Sequence, residues 1–103
     1  MSGNEELIEA IRSALAIVID PELGEGIIDL GLIYEIDVKE DGGVQIVMTT
    51  TTRGCPATAY LKQAVADCAW AVPGVEFVEV SLTYDPPWSP AMMSPLASAR
   101  LAR

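Results

Sequence analysis

The sequence predicts a two-layer α+β sandwich in which helices cover one face of a small sheet. Residues 5–18, and those after Pro56, repeat apolar side chains every three or four positions, as amphipathic helices do. Residues 34–39, 44–51 and 76–84 instead place apolar side chains at alternate positions, as half-buried strands do. The predicted order is helix, strand, strand, helix, strand, followed by a short C-terminal helix.

The first helix is expected over residues 5–18, with Asn4 as its cap and Asp20-Pro21 as its end. A glycine-rich loop then runs to Gly31, and its apolar residues indicate that it packs against the body of the protein. The loop carries three acids that fit either turn roles or a functional site: Asp20, Glu22 and Asp29.

The first two strands are expected to form a hairpin. Residues 34–39 make one strand, residues 40–43 have the composition of a turn, and residues 44–51 make the return strand. The return strand presents three apolar side chains on one face: Val44, Ile46 and Met48. The hairpin therefore leads directly into the segment that contains Cys55.

The second helix is expected to begin at Pro56, because proline fits the first helical position, and to end at Pro73-Gly74. Its apolar positions are Ala57, Leu61, Ala64, Val65, Cys68 and Val72. A third strand over residues 76–84 then turns four side chains inward: Val78, Val80, Leu82 and Tyr84. One domain of residues 1–103 with a modest core is the expected organisation.

The C-terminal region begins with a proline-rich stretch, residues 85–90, that holds Trp88 in a defined place, where the indole is expected to plug the edge of the core. A short helix follows, with an apolar side made of Leu96, Ala97 and Leu101. The exposed side of this helix is a candidate oligomer contact, and a homodimer is therefore an open alternative.

The charge of the chain argues against two classes of partner. The net charge is −9, from 15 acids against 6 bases, and the bases form no cluster. Nucleic acid and anionic membrane surfaces both need a basic protein surface, so neither is expected as a partner. Acids stand near the N-terminus where a signal peptide would be basic, and no apolar run reaches membrane-spanning length, so a cytoplasmic protein is expected.

The stretch around Cys55 has the features of a reactive thiol site. Pro56 places the cysteine at or next to the start of a helix, where unpaired N–H groups and the helix dipole favour a thiolate. Arg53 adds a positive charge two residues earlier, and Gly54 permits a sharp turn. The alternative is that Cys55 is a small buried apolar residue with no chemistry.

The other thiol and the missing histidines limit the chemistry. Cys68 follows Cys55 by 13 residues in one predicted helix, a rise of roughly 20 Å, which rules out a disulfide or a shared metal centre and favours a core role. The chain contains no histidine. That absence excludes Ser-His-Asp and Cys-His nucleophilic sites and zinc sites that use imidazole.

Six short motifs occur in one order along almost the whole chain: DPELG at 20–24, IDLGLIY at 28–34, GCPA at 54–57, PGV at 73–75, DPPWSP at 85–90 and MMS at 92–94. With these motifs the chain resembles the small iron-sulfur cluster maturation domain of SufT-like and PaaD-like assembly factors. The resemblance implies the fold of other iron-sulfur assembly domains, a cytosolic role in maturing iron-sulfur proteins and a functional Cys55.

The resemblance also implies a set of neighbours around the Cys55 thiol: Asp20, Glu22, Thr51, Thr52, Arg53 and Gly54. Two departures from the family pattern stand out. Thr52-Arg53 replaces a small residue and a proline, so the approach to the sulfur is more polar and more basic. Pro95 interrupts the C-terminal element, which is expected to restart at Ser94. The absence of a cysteine-rich tail favours a general role over a dedicated role in phenylacetate degradation.

One cysteine cannot hold a cluster alone, so we expect a transient iron-sulfur cluster that Cys55 shares between subunits or with a partner. The hydroxyls of Thr50, Thr51 and Thr52 are candidate hydrogen-bond donors to sulfur.

An adaptor that presents apoprotein targets to an assembly protein without binding metal is the second form of this hypothesis. A thiol-dependent enzyme or persulfide carrier with Cys55 as nucleophile is the rival, and it is disfavoured because the chain offers no histidine base. A PaaD-like accessory protein for an aromatic-degradation oxygenase is a further alternative.

Overall fold

The computed structural model describes residues 2–54 and 56–102, with side chains from residue 4 onward. Cys55, on which the predicted site is centred, lies outside the described residues. The described elements confirm the predicted α+β class and are α1 Ser2–Leu15, β1 Ile19–Asp20, β2 Glu25–Gly26, α2 Ile27–Leu30, β3 Ile33–Val38, β4 Gly43–Met48, α3 Thr58–Trp70, β5 Phe77–Leu82, a 3-10 turn Pro90–Met92 and α4 Pro95–Leu101.

A three-stranded sheet in the order β3-β4-β5 lies at the centre of the fold. β3 and β4 form the predicted antiparallel hairpin, with Val38 opposite Val44 and Ile36 opposite Ile46. β5 runs parallel to β4, with Ile46 beside Val80, because α3 carries the chain back to the starting edge of the sheet. The ends of β4 and β5 therefore lie side by side.

The core lies between one face of this sheet and the helices α1 and α3, which also pack against each other. Alternation along β4 decides which side chains enter it: Val44, Ile46 and Met48 are buried and Gln45 is exposed, as predicted. The helices contribute fully buried residues of their own: Ile11, Leu15, Leu61, Val65 and Ala69. The result is the predicted arrangement of helices over one face of a small sheet.

The predicted limits of the first helix are wrong at both ends. α1 begins at Ser2, so Asn4 lies inside it, and it ends at Leu15 rather than at Asp20-Pro21. Three β-branched residues in a row, Ile17 to Ile19, favour extended backbone, and the Val18 carbonyl accepts a bond from Ile27 N–H at 3.0 Å. The chain thus leaves the helix early to pair with a segment downstream.

Residues 19–30 pack against the body, as predicted, and contain structure that the sequence did not indicate. β1 and β2 form a two-residue antiparallel ladder, and the single-turn helix α2 follows it. Ile27 and Leu30 are fully buried. Gly31 ends α2 with φ of 78°, and a Cβ at this position would lie 2.5 Å from the Met92 carbonyl oxygen, so only glycine fits.

The strands beside the predicted site end earlier than expected. β4 stops at Met48 rather than Thr51, and β5 stops at Leu82 rather than Tyr84. The partner strand β3 begins at Ile33, opposite Met48, so the regular pairing of β3 with β4 ends there. One more backbone hydrogen bond follows at each strand end, from Thr49 N–H to the Leu32 carbonyl and from Thr83 N–H to the Met48 carbonyl.

The C-terminal segment closes over the end of the sheet. The Trp88 indole N–H donates to the Leu30 carbonyl at 2.6 Å while its ring packs on the core, which confirms the predicted plug. Ser94 caps α4 by accepting from Ala97 N–H at 3.2 Å, so the helix restarts where predicted. The predicted apolar side of α4 is wrong in part, because Ala97 is buried whereas Leu96 is 61% exposed.

No helix within residues 2–54 and 56–102 combines the length and the apolar character that a membrane span requires.

Candidate functional site

The segment that links β4 to α3 begins with two buried threonines. Thr49 and Thr50 are 0% and 1% exposed, and Thr49 N–H donates to the Leu32 carbonyl at 2.9 Å. The Thr50 hydroxyl donates to the Thr52 carbonyl at 2.7 Å, which bends the chain back on itself. This bond uses the only hydroxyl proton of Thr50. A hydrogen bond from the neighbouring threonine hydroxyls to the Cys55 sulfur stays a prediction, because Cys55 lies outside the described residues.

Tyr84 joins this segment from the end of β5. Its hydroxyl lies 2.8 Å from the Thr50 Oγ1, and its ring lies under the Arg53 guanidinium, with 4.7 Å from Arg53 Cζ to the ring centroid. The alternation of the third strand predicted only an inward position for Tyr84. Its site position follows from the parallel pairing of β4 and β5, which brings the residues after both strands to the same edge.

Of the predicted site residues, the structure brings Glu22 and Thr51 together. The Thr51 hydroxyl donates to a Glu22 carboxylate oxygen at 3.3 Å and ties the loop after β1 to the segment after β4. The proximity of this pair to the Cys55 thiol stays a prediction, because that residue lies outside the described part of the chain.

Asp20 is buried at the base of the same loop, with 1% of its surface exposed. Its Oδ2 accepts the Leu23 N–H at 3.1 Å, and its carbonyl accepts the Gly24 N–H at 2.8 Å, so it shapes the turn that presents Glu22. Burial raises the pKa of Asp20, the Leu23 hydrogen bond opposes this, and the Glu22 carboxylate adds to the rise. Asp29, the third acid of the loop, lies in α2, 3.8 Å from Arg100.

Gly54 carries the chain through the turn before Cys55 in the left-handed conformation, with φ of 70°. Apart from its two chain neighbours, no atom of the described residues lies within 4 Å of a Cβ built there, so the backbone conformation calls for glycine. The predicted placement of Pro56 at the first helical position is wrong. α3 begins at Thr58 after Ala57, whose carbonyl accepts the Leu61 N–H at 2.9 Å, because the turn continues through Ala57.

Cys68 lies in α3, half-buried against the core, as predicted. Burial raises the pKa of the Cys68 thiol, and the neighbouring Asp67 carboxylate adds to this, so the thiol form is favoured. Among the described residues there is no group of three or more cysteine or carboxylate side chains able to hold a metal ion.

Comparisons with known proteins place this chain among iron-sulfur assembly proteins. Residues 8–82 match the model of the family described as iron-sulfur cluster assembly protein. The chain is similar to the Fe-S protein maturation auxiliary factor YitW of Bacillus subtilis, with 41% identity over 94% of this chain and 95% of that protein. The Fe-S protein maturation auxiliary factor SufT of Staphylococcus aureus is 38% identical over 82% of this chain and 96% of its own length.

Larger proteins contain a matching region. An iron-sulfur cluster carrier protein of Mycobacterium tuberculosis is 42% identical over 80% of this chain, which corresponds to only 22% of the carrier protein. Among solved structures, a domain of unknown function from Bacillus anthracis superposes with a TM-score of 0.93 at 35% identity, over 98% of this chain and 96% of that chain. The family match and the near-complete alignments agree with the motifs from DPELG to MMS. The chain therefore belongs to the iron-sulfur cluster assembly protein family.

Proposed function

We propose that this protein matures iron-sulfur proteins by carrying a cluster transiently on Cys55. The observation that carries the proposal is the alignment over 94% of the chain with a protein named an Fe-S protein maturation auxiliary factor. The match to part of proteins named iron-sulfur cluster carriers supports the carrier form. The proposed partners are iron-sulfur assembly proteins and apoprotein targets, and the resemblance implies that they meet in the cytoplasm.

The ligands available in this chain favour a shared cluster. Clusters of two or four irons are held by four protein ligands, and the chain has two cysteines and no histidine. Cys68 is half-buried in α3. It lies ten residues after Thr58, where α3 begins, which corresponds to about 15 Å along the helix axis. Cys55 would therefore supply one ligand while a second subunit or a partner supplies the others.

Incomplete ligation suits transfer of the cluster to a target. In each exchange, a target thiolate forms a bond to iron as the Cys55 thiolate leaves, so the charge and the electron count of the cluster are conserved. Such a step needs no catalytic base, which fits a chain without histidine. We therefore propose a non-enzymatic factor. The hydroxyl of Thr51, held by Glu22, and the positive charge of Arg53 would flank the approach to the thiol.

The test is anaerobic reconstitution with iron and sulfide, followed by visible absorption and by mass in solution. The parent protein is compared with Cys55→Ser and with the matched control Cys68→Ala. Colour together with a larger oligomer, lost in Cys55→Ser and retained in Cys68→Ala, supports the shared-cluster carrier. If the parent shows no colour either alone or with an apoprotein partner, the carrier form is overturned and the adaptor form takes its place.

A further inference from the structure

We propose that Tyr84 is the positioning residue of the segment that leads into Cys55, and that it holds Arg53 in place to meet an anionic ligand of this site. The inference rests on the proposed role of Cys55. Tyr84 contacts two residues of the segment at once, Thr50 through its hydroxyl and Arg53 through its ring face.

The hydrogen bonds of Thr50 determine the direction of the Tyr84 contact. The Thr50 hydroxyl has one proton and donates it to the Thr52 carbonyl at 2.7 Å. Tyr84 must then be the donor across the 2.8 Å contact with Thr50 Oγ1. The chain of bonds runs from Tyr84 through Thr50 to the Thr52 backbone, and bonds in such a chain strengthen one another. Thr50 is 1% exposed, and its bonds to the Thr52 carbonyl and to Tyr84 are partly buried.

Arg53 is held by the ring and not by a carboxylate. Lys39 pairs with Asp37 and Arg100 pairs with Glu25, whereas no carboxylate of residues 2–54 and 56–102 lies within 4.0 Å of Arg53. A guanidinium stacked on an aromatic face keeps its N–H donors at the edge, where they can meet an anion. Arg53 is therefore an exposed positive charge stacked on Tyr84, and no acid of the described residues uses its donors.

The chemistry of the expected cargo fits such a charge. An iron-sulfur cluster ligated by thiolates carries a net negative charge, and this chain has a net charge of −9, so the two repel overall. Two peptide units span at most about 7.6 Å between the Cα atoms of Arg53 and Cys55. A positive charge at that distance offsets the repulsion where the cluster binds. The contact with Tyr84 keeps the Arg53 guanidinium in this position.

The experiment measures how the Cys55 thiol distinguishes an anionic reagent from a neutral one. Iodoacetate and iodoacetamide react with the same thiolate, so the ratio of their alkylation rates reports local charge and cancels the thiolate fraction. All proteins carry Cys68→Ala, so that Cys55 alone is modified. We compare Arg53→Gln, Tyr84→Leu, Tyr84→Phe and the double variant Arg53→Gln with Tyr84→Leu at one pH and low salt.

Removal of the Arg53 charge should lower the iodoacetate to iodoacetamide ratio about threefold, the size expected for one charge at this range in water. Tyr84→Leu should lower the ratio nearly as much, because the guanidinium loses its support. The double variant should show no further loss, since both changes remove the same effect. Tyr84→Phe keeps the ring and should keep the ratio, while both rates fall about twofold or more as the hydrogen-bond chain is lost.

Tyr34→Phe is the matched control, because it removes a tyrosine hydroxyl that donates to the Pro86 carbonyl at 2.8 Å and anchors the segment that follows Tyr84. It should change neither the ratio nor the rates. A parent-like ratio in Tyr84→Leu, or an equal loss in Tyr34→Phe, overturns the positioning role. A parent-like ratio in Arg53→Gln overturns the anionic ligand. Tyr84→Met replaces Tyr84→Leu if the latter does not fold. Alkylation involves no iron, so a failure to reconstitute the parent overturns the proposed function separately.

Discussion

The Thr51 hydroxyl donates to a carboxylate oxygen of Glu22 at 3.3 Å and so joins two loops that are 29 residues apart in the chain. The loop of Glu22 is closed by Asp20, and the segment of Thr51 is closed by the bond from Thr50 to the Thr52 carbonyl. Each side of the contact is therefore held by a hydrogen bond of its own. This contact brings two sequence motifs, DPELG and the threonines before Cys55, together on one surface.

We expect a measurable coupling between Glu22 and Thr51. A double-mutant cycle with Glu22→Gln, Thr51→Val and the combined variant should give a coupling free energy of unfolding of about 0.5 kcal/mol, because the hydrogen bond is to a charged group but is exposed to solvent. Urea unfolding at pH 7 measures it. The same cycle with Glu25 in place of Glu22 is the control, since Glu25 pairs with Arg100. Strictly additive effects of Glu22→Gln and Thr51→Val would contradict the contact.

Trp88 should stabilise the fold through its hydrogen bond to Leu30 as well as through its ring. Trp88→Phe keeps an aromatic ring but leaves the Leu30 carbonyl unpaired, so we expect a loss of about 1–3 kcal/mol in the free energy of unfolding. Trp70→Phe is the matched control, because Trp70 is 54% exposed at the end of α3, and it should lie within about 0.5 kcal/mol of the parent. Chemical denaturation of both variants measures the difference.

Alanine substitutions at three glycines distinguish the free-energy cost of backbone strain from that of steric crowding. Gly54 and Gly24 have φ of 70° and 71°, and neither has an atom within 4 Å of a Cβ built on it. Alanine at either position should therefore lower the free energy of unfolding by a similar amount, about 1–2 kcal/mol. Gly31→Ala should cost more, because its Cβ would lie 2.5 Å from the Met92 carbonyl oxygen.

The same series tests whether the turn at Gly54 serves the thiol. Gly54→Ala is expected to change the alkylation rate of Cys55 in the Cys68→Ala background, whereas Gly24→Ala, of equal thermodynamic cost, is expected to leave that rate unchanged. Equal rates in both variants would mean that the left-handed turn serves folding alone.

The stability of the protein should depend on the titration of Asp20. Burial raises the pKa of Asp20 above its ordinary value of 3.8, so the folded protein binds this proton more tightly than the unfolded chain does. The contribution of Asp20 is then most favourable below 3.8, and it declines as the pH rises through the folded-state pKa.

Asp20→Asn keeps an acceptor for Leu23 N–H and removes the titration, so the stability of this variant relative to the parent should increase with pH above about 4. Denaturant unfolding between about pH 3.5 and pH 6 measures the difference curve, within the range in which carboxyl groups titrate. A flat difference curve for Asp20→Asn would contradict the assignment.

Local patterns in the sequence were sufficient for the longer helices and strands and for the family, but not for β1, β2 and α2. Alternation predicted the inward face of β4, helical spacing predicted the buried residues of α3 at Leu61 and Val65, and ordered motifs predicted the family. Element ends were harder to predict. β4 stops at Met48 because its partner strand begins opposite that residue, which is a property of the pair and not of either strand alone.

The composition and the motifs by themselves determined the class of fold, the absence of histidine chemistry and membership in an iron-sulfur assembly family, because these follow from the kinds of residue and their spacing. Only the tertiary structure decided which side chains meet: Glu22 with Thr51, Tyr84 with Thr50 and Arg53, and Trp88 with Leu30. The reason is physical. Short-range spacing controls local backbone, whereas contacts across 29 to 58 residues depend on a parallel pairing and a crossover that no local pattern encodes.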